Sequence, residues 1–153
     1  MFTIGYEGLN LDAFLQRLHA ANVRVLVDVR ELPLSRKKGF SKTSLREQLA
    51  SQGIDYVHMP ALGCPKPVRD AYKQNADWPE YVKAFEAYMA TQSAALKELT
   101  TLSKAHTACL MCFEADYNRC HRSMVARNAQ RFGAAPTIHI TAQTTIPELR
   151  LAA

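Results

Sequence analysis

The segment Cys112-Phe113-Glu114-Ala115-Asp116-Tyr117-Asn118-Arg119-Cys120-His121-Arg122 gathers two thiols, two carboxylates, an imidazole and two guanidiniums. Folding alone seldom calls for such a mixture, and three chemistries suit it. Cys120, at a helix start where unpaired N–H groups lower a thiol's pKa, suits a nucleophilic thiolate, with Cys112 as the second candidate. Glu114 or His121 suits general acid or base work on a phosphate or glycosidic bond, with Asp116 orienting the histidine or the arginines. The third possibility is simple anion binding by Arg122 and the helix start. The structural counterpart is a buried polar network that braces a strand-to-helix turn.

A second cluster is basic. Ser35-Arg36-Lys37-Lys38-Gly39-Phe40-Ser41-Lys42 runs on to Arg46 without an acid. Guanidinium forks, ammonium groups and free backbone N–H groups suit phosphate, so Arg36, Lys42, Ser35 and Ser41 are candidate anion ligands; a solvated loop is the alternative. Asp28 and Arg30 lie two apart on a strand and project from one face. Arg30 is expected to pair with Asp28 or Glu114 or to meet an anion, and Asp28 to organise Arg30 rather than act as a general base. Tyr6, Glu7 and Gly8 form a turn after the first strand, with Glu7 a candidate acid. His58 stands at the end of a third strand, where a satisfied rim histidine is the commoner role.

Cys109-Leu110-Met111-Cys112, followed by Cys120 and His121, raises the question of zinc. Residues three apart on a strand face opposite sides, and adjacent Cys120 and His121 depart from the usual zinc spacing. No metal ligand and no cofactor is therefore assigned. Cys109 reads as a small buried hydrophobe, and Cys64 carries little signal.

The elements that must position these residues follow from periodicity. Phe2 to Tyr6, Val23 to Val29, Ile54 to Met59 and Thr107 to Phe113 read as strands, the second buried on both faces. Asn10 caps a helix carrying Leu11, Phe14, Leu15 and Leu18 at helical spacing. Ser44 and Glu47 suggest a capping box for a second helix stopped by Gly53. From Ala61 to Asp77 no period is evident, which predicts a long loop. Asp77-Trp78-Pro79-Glu80 opens a long helix whose Trp78, Tyr81, Phe85 and Tyr88 read as a packing face rather than a base-stacking platform. A last helix spans Arg122 to Phe132, ending at Gly133, and Thr137 to Ile140 reads as an edge strand. Alternating strands and helices predict a single Rossmann-like α/β domain over residues 1–153, in three layers, with a mostly parallel sheet of four to five strands. Such sheets bind ligands beyond the carboxyl ends of their strands, so all the polar clusters are expected on one rim.

Composition sets the class. With 153 residues, 48% hydrophobic and 22% charged, the chain suits one globular domain of cytoplasmic type. It has no apolar run long enough to span a bilayer and no signal-like start, so no membrane partner is expected. The four cysteines are expected to be free thiols. A net charge of +5 permits an anionic partner.

Several motifs in order, namely Ile4-Gly5-Tyr6-Glu7-Gly8, Asp28-Val29-Arg30 with Pro33, Ser35-Arg36, Phe40-Ser41-Lys42, Tyr56-x-His58-x-Pro60-x-Leu62-Gly63 and Cys112-Phe113-Glu114 with Cys120-His121-Arg122, resemble the bacterial family known as domain of unknown function 488. The resemblance runs from about residue 3 to residue 132. It implies a compact α/β domain whose recurring polar residues match these positions, and a link to nucleic acids. Val27-Asp28-Val29-Arg30 also resembles a rhodanese strand, but Cys112 to Arg119 is longer and more acidic than a rhodanese loop. Together these features predict an anion-binding cleft acting on a nucleotide, nucleic acid or other phosphorylated ligand, with hydrolysis or cleavage favoured. A non-catalytic nucleic-acid-binding module and a rhodanese- or phosphatase-like thiolate enzyme are the alternatives.

Overall fold

The computed structural model of the chain describes residues 1–148. The strands are β1 (Phe2–Gly5), β2 (Val25–Asp28), β3 (Asp55–His58), β4 (Ala108–Cys112), β5 (Ile138–Ile140) and β6 (Thr145–Pro147). They form one sheet in the order β3-β2-β4-β1-β5-β6. The first five are parallel and β6 runs antiparallel to β5. The helices are α1 (Leu11–Ala20), α2 (Lys42–Ser51), α3 (Lys66–Asn75), α4 (Trp78–Met89), α5 (Ser93–Ala105) and α6 (His121–Gln130). This is the expected three-layer, Rossmann-like α/β architecture. None of the described helices is long and apolar enough to cross a membrane.

Alternation along the central strands builds two cores. Val25, Val27, Val29, Ala108 and Leu110 face α4, α5 and α6, where Phe85, Met89, Leu96, Leu99, Val125 and Ala129 meet them. Leu26, Cys109 and Met111 face the other way and join Ile4 with Phe14, Leu18, Leu45 and Leu49 of α1 and α2. Burying each such side chain stabilises the fold by about 1.5–3 kcal/mol. The alternation also puts Cys109 and Cys112 on opposite faces, so the two never share a site.

Local signals position the helices. Asn10 accepts from the Ala13 amide at 2.8 Å, and Asp77 caps α4 by accepting from Glu80 at 2.9 Å. Caps of this kind are worth about 1 kcal/mol each. Gly53, at φ 71, follows the end of α2 as expected.

Four expectations change. The stretch from Ala61 to Asp77 is no loop: a short 3-10 turn, Pro60–Leu62, leads into α3. That helix escaped the periodicity because none of its residues is fully buried; it rests on α4 through Val68 and Tyr72. The long helix opened by Asp77 is two helices, broken after Met89 with no proline or glycine to announce the break. Ser44 lies inside α2 and forms no capping box, since the helix begins three residues earlier with Ser41 as its cap. Finally, Thr137 to Ile140 is not the sheet edge, because β6 adds a sixth strand outside β5.

Candidate functional site

Since β4 lies between β1 and β2, the loops that follow these three strands emerge side by side. Beyond them opens a cleft of about 720 Å³, lined by residues from the β1, β2 and β4 ends, from α3 and from the start of α4. That volume suits a small-molecule ligand. Its floor contains Cys112, Glu114 and His121; Tyr6 and Phe113 lie on one side, Tyr72, Trp78 and Tyr81 on another. Trp78 and Tyr81 stack at 4.8 Å, and the Arg119 guanidinium lies 5.6 Å over the Trp78 ring. Trp78 and Tyr81 are therefore not only a packing face, as periodicity alone suggested; helix α3 holds them beside the cleft. Arg36, Arg69, Lys73 and Arg119 add four cations to the lining. Arg69 pairs with Glu31 at 2.8 Å, whereas Arg36, Lys73 and Arg119 form no ion pair among the described residues.

The floor is built where β4 passes into α6. Cys112 ends the strand. Cys120 is the N-cap of α6 in extended conformation, and His121 is the first helical residue. The change from extended to helical backbone lets these adjacent residues converge instead of diverging. The Cys112 thiol donates to Glu114 Oε2 at 3.0 Å and the Cys120 thiol to the same oxygen at 3.2 Å. His121 Nε2 donates to the Val29 carbonyl at 2.7 Å, which turns Nδ1 toward Cys112 Sγ, 3.6 Å away. One donor atom from each of Cys112, Glu114, Cys120 and His121 lies within 4.8 Å of every other.

Charge is unevenly shared here. Burial, with the Cys120 sulfur beside it, raises the Glu114 carboxyl above the usual range. The hydrogen bond with Cys120, together with burial, holds the Cys112 thiol well above a free thiol. Burial works against a Cys120 thiolate, but hydrogen bonds from Cys112 and His121 and the charge of Arg122 bring it well below that value. Burial likewise opposes a charged His121, and the bond and charge of Cys120 outweigh it. Cys120, the thiol whose pKa is lowered, is 2% exposed and does not line the cleft.

Other candidates hold the rim together. Asp28 accepts from Arg30 Nε at 2.9 Å and Nη2 at 2.7 Å, a bidentate pair with Asp28 fully buried. Arg30 Nη1 donates further to Tyr6 Oη at 3.1 Å and to the Phe40 carbonyl at 2.8 Å. Tyr6 stacks on Phe40 at 4.4 Å, and His58 Nε2 meets the Arg30 carbonyl at 2.8 Å. Arg122, also fully buried, donates to the Glu114 carbonyl at 2.5 Å, to the Ala115 carbonyl and to Thr3, and it does not line the cleft. Glu7 accepts from the Ala115 amide at 2.9 Å, with Gly8 in the exposed turn beside it. Asp116 caps the short turn Tyr117–Arg119. Ser35 and Ser41 close the basic loop on each other: the Ser35 amide donates to Ser41 Oγ, which donates back to the Ser35 carbonyl at 3.1 Å. Of the basic loop Ser35 and Arg36 line the cleft; Lys42 does not.

The rim residues therefore assemble in one place, but Asp28, Arg30 and Arg122 serve as its braces. Of the free cations Arg36 comes from the basic loop, as expected, whereas Lys73, Arg119 and the aromatic wall come from α3, the start of α4 and the turn before α6. Arg69 and Lys73, four apart on one helix face, were the available signal, hidden by reading that stretch as a loop.

Fold and site together define a Rossmann-like α/β domain with a cationic, aromatic-walled cleft over a thiol–carboxyl–imidazole floor. The family model described as "Domain of unknown function DUF488" matches residues 10–129, and the chain belongs to that family. No curated protein and no solved structure matches it.

Proposed function

We propose that the cleft binds a phosphorylated ligand carrying a planar ring, a nucleotide or a nucleotide unit of a nucleic acid, and hydrolyses a phosphate or glycosidic bond in it. The observation that carries this reading is the pairing of Arg36, Lys73 and Arg119, without ion-pair partners among the described residues, with the Trp78–Tyr81 stack around one opening. Cations of this kind take phosphate oxygens, and an aromatic face takes a base. Glu114 lies at the floor of the same opening and is only partly buried, so its carboxyl is the proton-transfer group within reach of a bound ligand. His121 and Cys120 orient and polarise it. Arg30, Asp28 and Arg122 act at one remove by fixing the loops.

The test is turnover. Nucleoside monophosphates and short single-stranded oligonucleotides are incubated with the protein, and released phosphate or base is followed by chromatography. The wild-type protein is expected to release product, and Glu114→Gln to bind the same ligand with at least about a hundredfold slower release. Equal turnover by the two proteins would refute the assigned role of Glu114.

A further inference from the structure

We propose that Cys112, Glu114, Cys120 and His121 bind a zinc-class divalent cation at the floor of the cleft. This goes beyond the ligand reading and does not depend on it. Tetrahedral zinc with thiolate, imidazole and carboxylate ligands has donor-to-donor edges of roughly 3.3–3.8 Å, from bond lengths of about 2.0–2.3 Å. The three edges Cys112–Glu114, Cys120–Glu114 and Cys112–His121 are 3.0, 3.2 and 3.6 Å. These three of the six edges lie within a few tenths of an ångström of such a tetrahedron, and the other three are no longer than 4.8 Å, so shifts of up to about an ångström would complete it.

Three further features belong to a metal site. His121 gives its Nε2 hydrogen to the Val29 carbonyl at 2.7 Å, the outer hydrogen bond that fixes a ligating imidazole with Nδ1 free to coordinate. The ring is also held edge-on against Phe85, at 5.5 Å between centroids. Fully buried Arg122, bonded to the Glu114 carbonyl, supplies a positive charge beside a site that would carry two thiolates and a carboxylate on one dication. Two sulfurs and an imidazole select zinc or cobalt over magnesium or calcium, which take oxygen. On binding, the cation replaces the thiol protons that now point at Glu114 Oε2, and these leave to solvent.

The ligands differ in exposure. Cys112, Cys120 and His121 are buried, and Glu114 alone is partly open. Glu114 is therefore the exchangeable ligand.

Cobalt(II) tests this on the full chain. After chelator treatment, titration is expected to reach one cobalt per chain, with thiolate-to-cobalt charge transfer in the near ultraviolet and the intense visible bands of tetrahedral cobalt. Zinc should bleach both. Cys120→Ser should weaken binding by more than the roughly 10–100-fold that loss of an outer partner costs, and Cys64→Ser should leave it unchanged. If Cys120→Ser fails to fold, the wild-type charge-transfer bands and their bleaching by zinc carry the test. Wild-type spectra without charge transfer would overturn the site. Nucleotide binding without cobalt–sulfur bands contradicts the metal alone; cobalt–sulfur bands without nucleotide binding contradict the ligand reading alone.

Discussion

Gly5 ends β1 against the carbonyl of Glu114, so closely that a β-carbon at position 5 would lie 1.8 Å from that oxygen. The same carbonyl accepts from Arg122 at 2.5 Å. The floor of the cleft is thus clamped between a strand that must lack a side chain and a buried guanidinium. Gly5→Ala must push the Glu114 loop outward. The expected loss is about 3 kcal/mol or more, read as a lower urea midpoint. An unchanged midpoint would mean that this approach does not constrain the loop.

Asp28→Asn removes one partner of a buried bidentate pair and leaves Arg30 charged and uncompensated. Breaking such a pair costs about 3–5 kcal/mol. Tyr56→Phe, which loses only the 2.6 Å hydrogen bond to Asp28, should cost about 1–2 kcal/mol. Denaturant titration of both variants checks the ordering. If Asp28→Asn leaves stability intact but abolishes ligand binding, Asp28 and Arg30 act on the ligand rather than as braces.

His139 makes stability depend on pH. Thr3 Oγ1 is 2.8 Å from its Nδ1, the ring stacks on Tyr117 at 4.0 Å, and Nε2 has no hydrogen-bond partner among the described residues. Burial, helped by Arg122 and Arg127, lowers its pKa to about 4. Between the unfolded value near 6.5 and about 4, the unfolded chain binds the proton and the folded chain does not. Stability is therefore full above about pH 6.5 and falls as pH is lowered toward 4, by on the order of 1–3 kcal/mol. His139→Phe should flatten that part of the stability profile measured at several pH values; an equally steep profile would assign the dependence elsewhere.

Thiol reactivity separates the floor from a thiolate enzyme. Burial pushes Cys64 up to about 11 and raises Cys109 further; Cys112 is held protonated, and Cys120 is covered. In the metal-free folded protein no cysteine is expected to react with iodoacetamide faster than free cysteine at neutral pH. All four should react after unfolding. Rapid labelling of Cys120 in the native chain would restore the nucleophile reading.

Much of this was legible in the residues. The β-branched run Val23 to Val29 and the apolar β4 announced the central strands, and strand-end topology brought Tyr6, Arg30 and Glu114 together. Charge alone did not say which arginines were free. For Arg30 the sequence offered Asp28, Glu114 or an anion as partner, and the folded chain shows it paired with Asp28; for Arg122 nothing in the sequence pointed to the Glu114 carbonyl it donates to. Helix α3 was hidden because its stability comes from resting on α4, not from a fully buried stripe of its own. The four-donor cluster was hidden because sequence spacing assumes regular backbone, whereas Cys120 and His121 converge through a change of conformation between them.

Trp78 is the single tryptophan of the chain and lies in the cleft wall, so its fluorescence reports occupancy directly. Titration with a nucleoside monophosphate and with a single-stranded oligonucleotide, at several salt concentrations, tests the central claim. Saturable quenching is expected, weakening with salt, and Arg36→Gln, Lys73→Gln or Arg119→Gln should each lower affinity and flatten the salt slope without shifting the melting temperature. Unaltered Trp78 emission with every nucleotide and oligonucleotide, or quenching indifferent to salt and to these three substitutions, would contradict it.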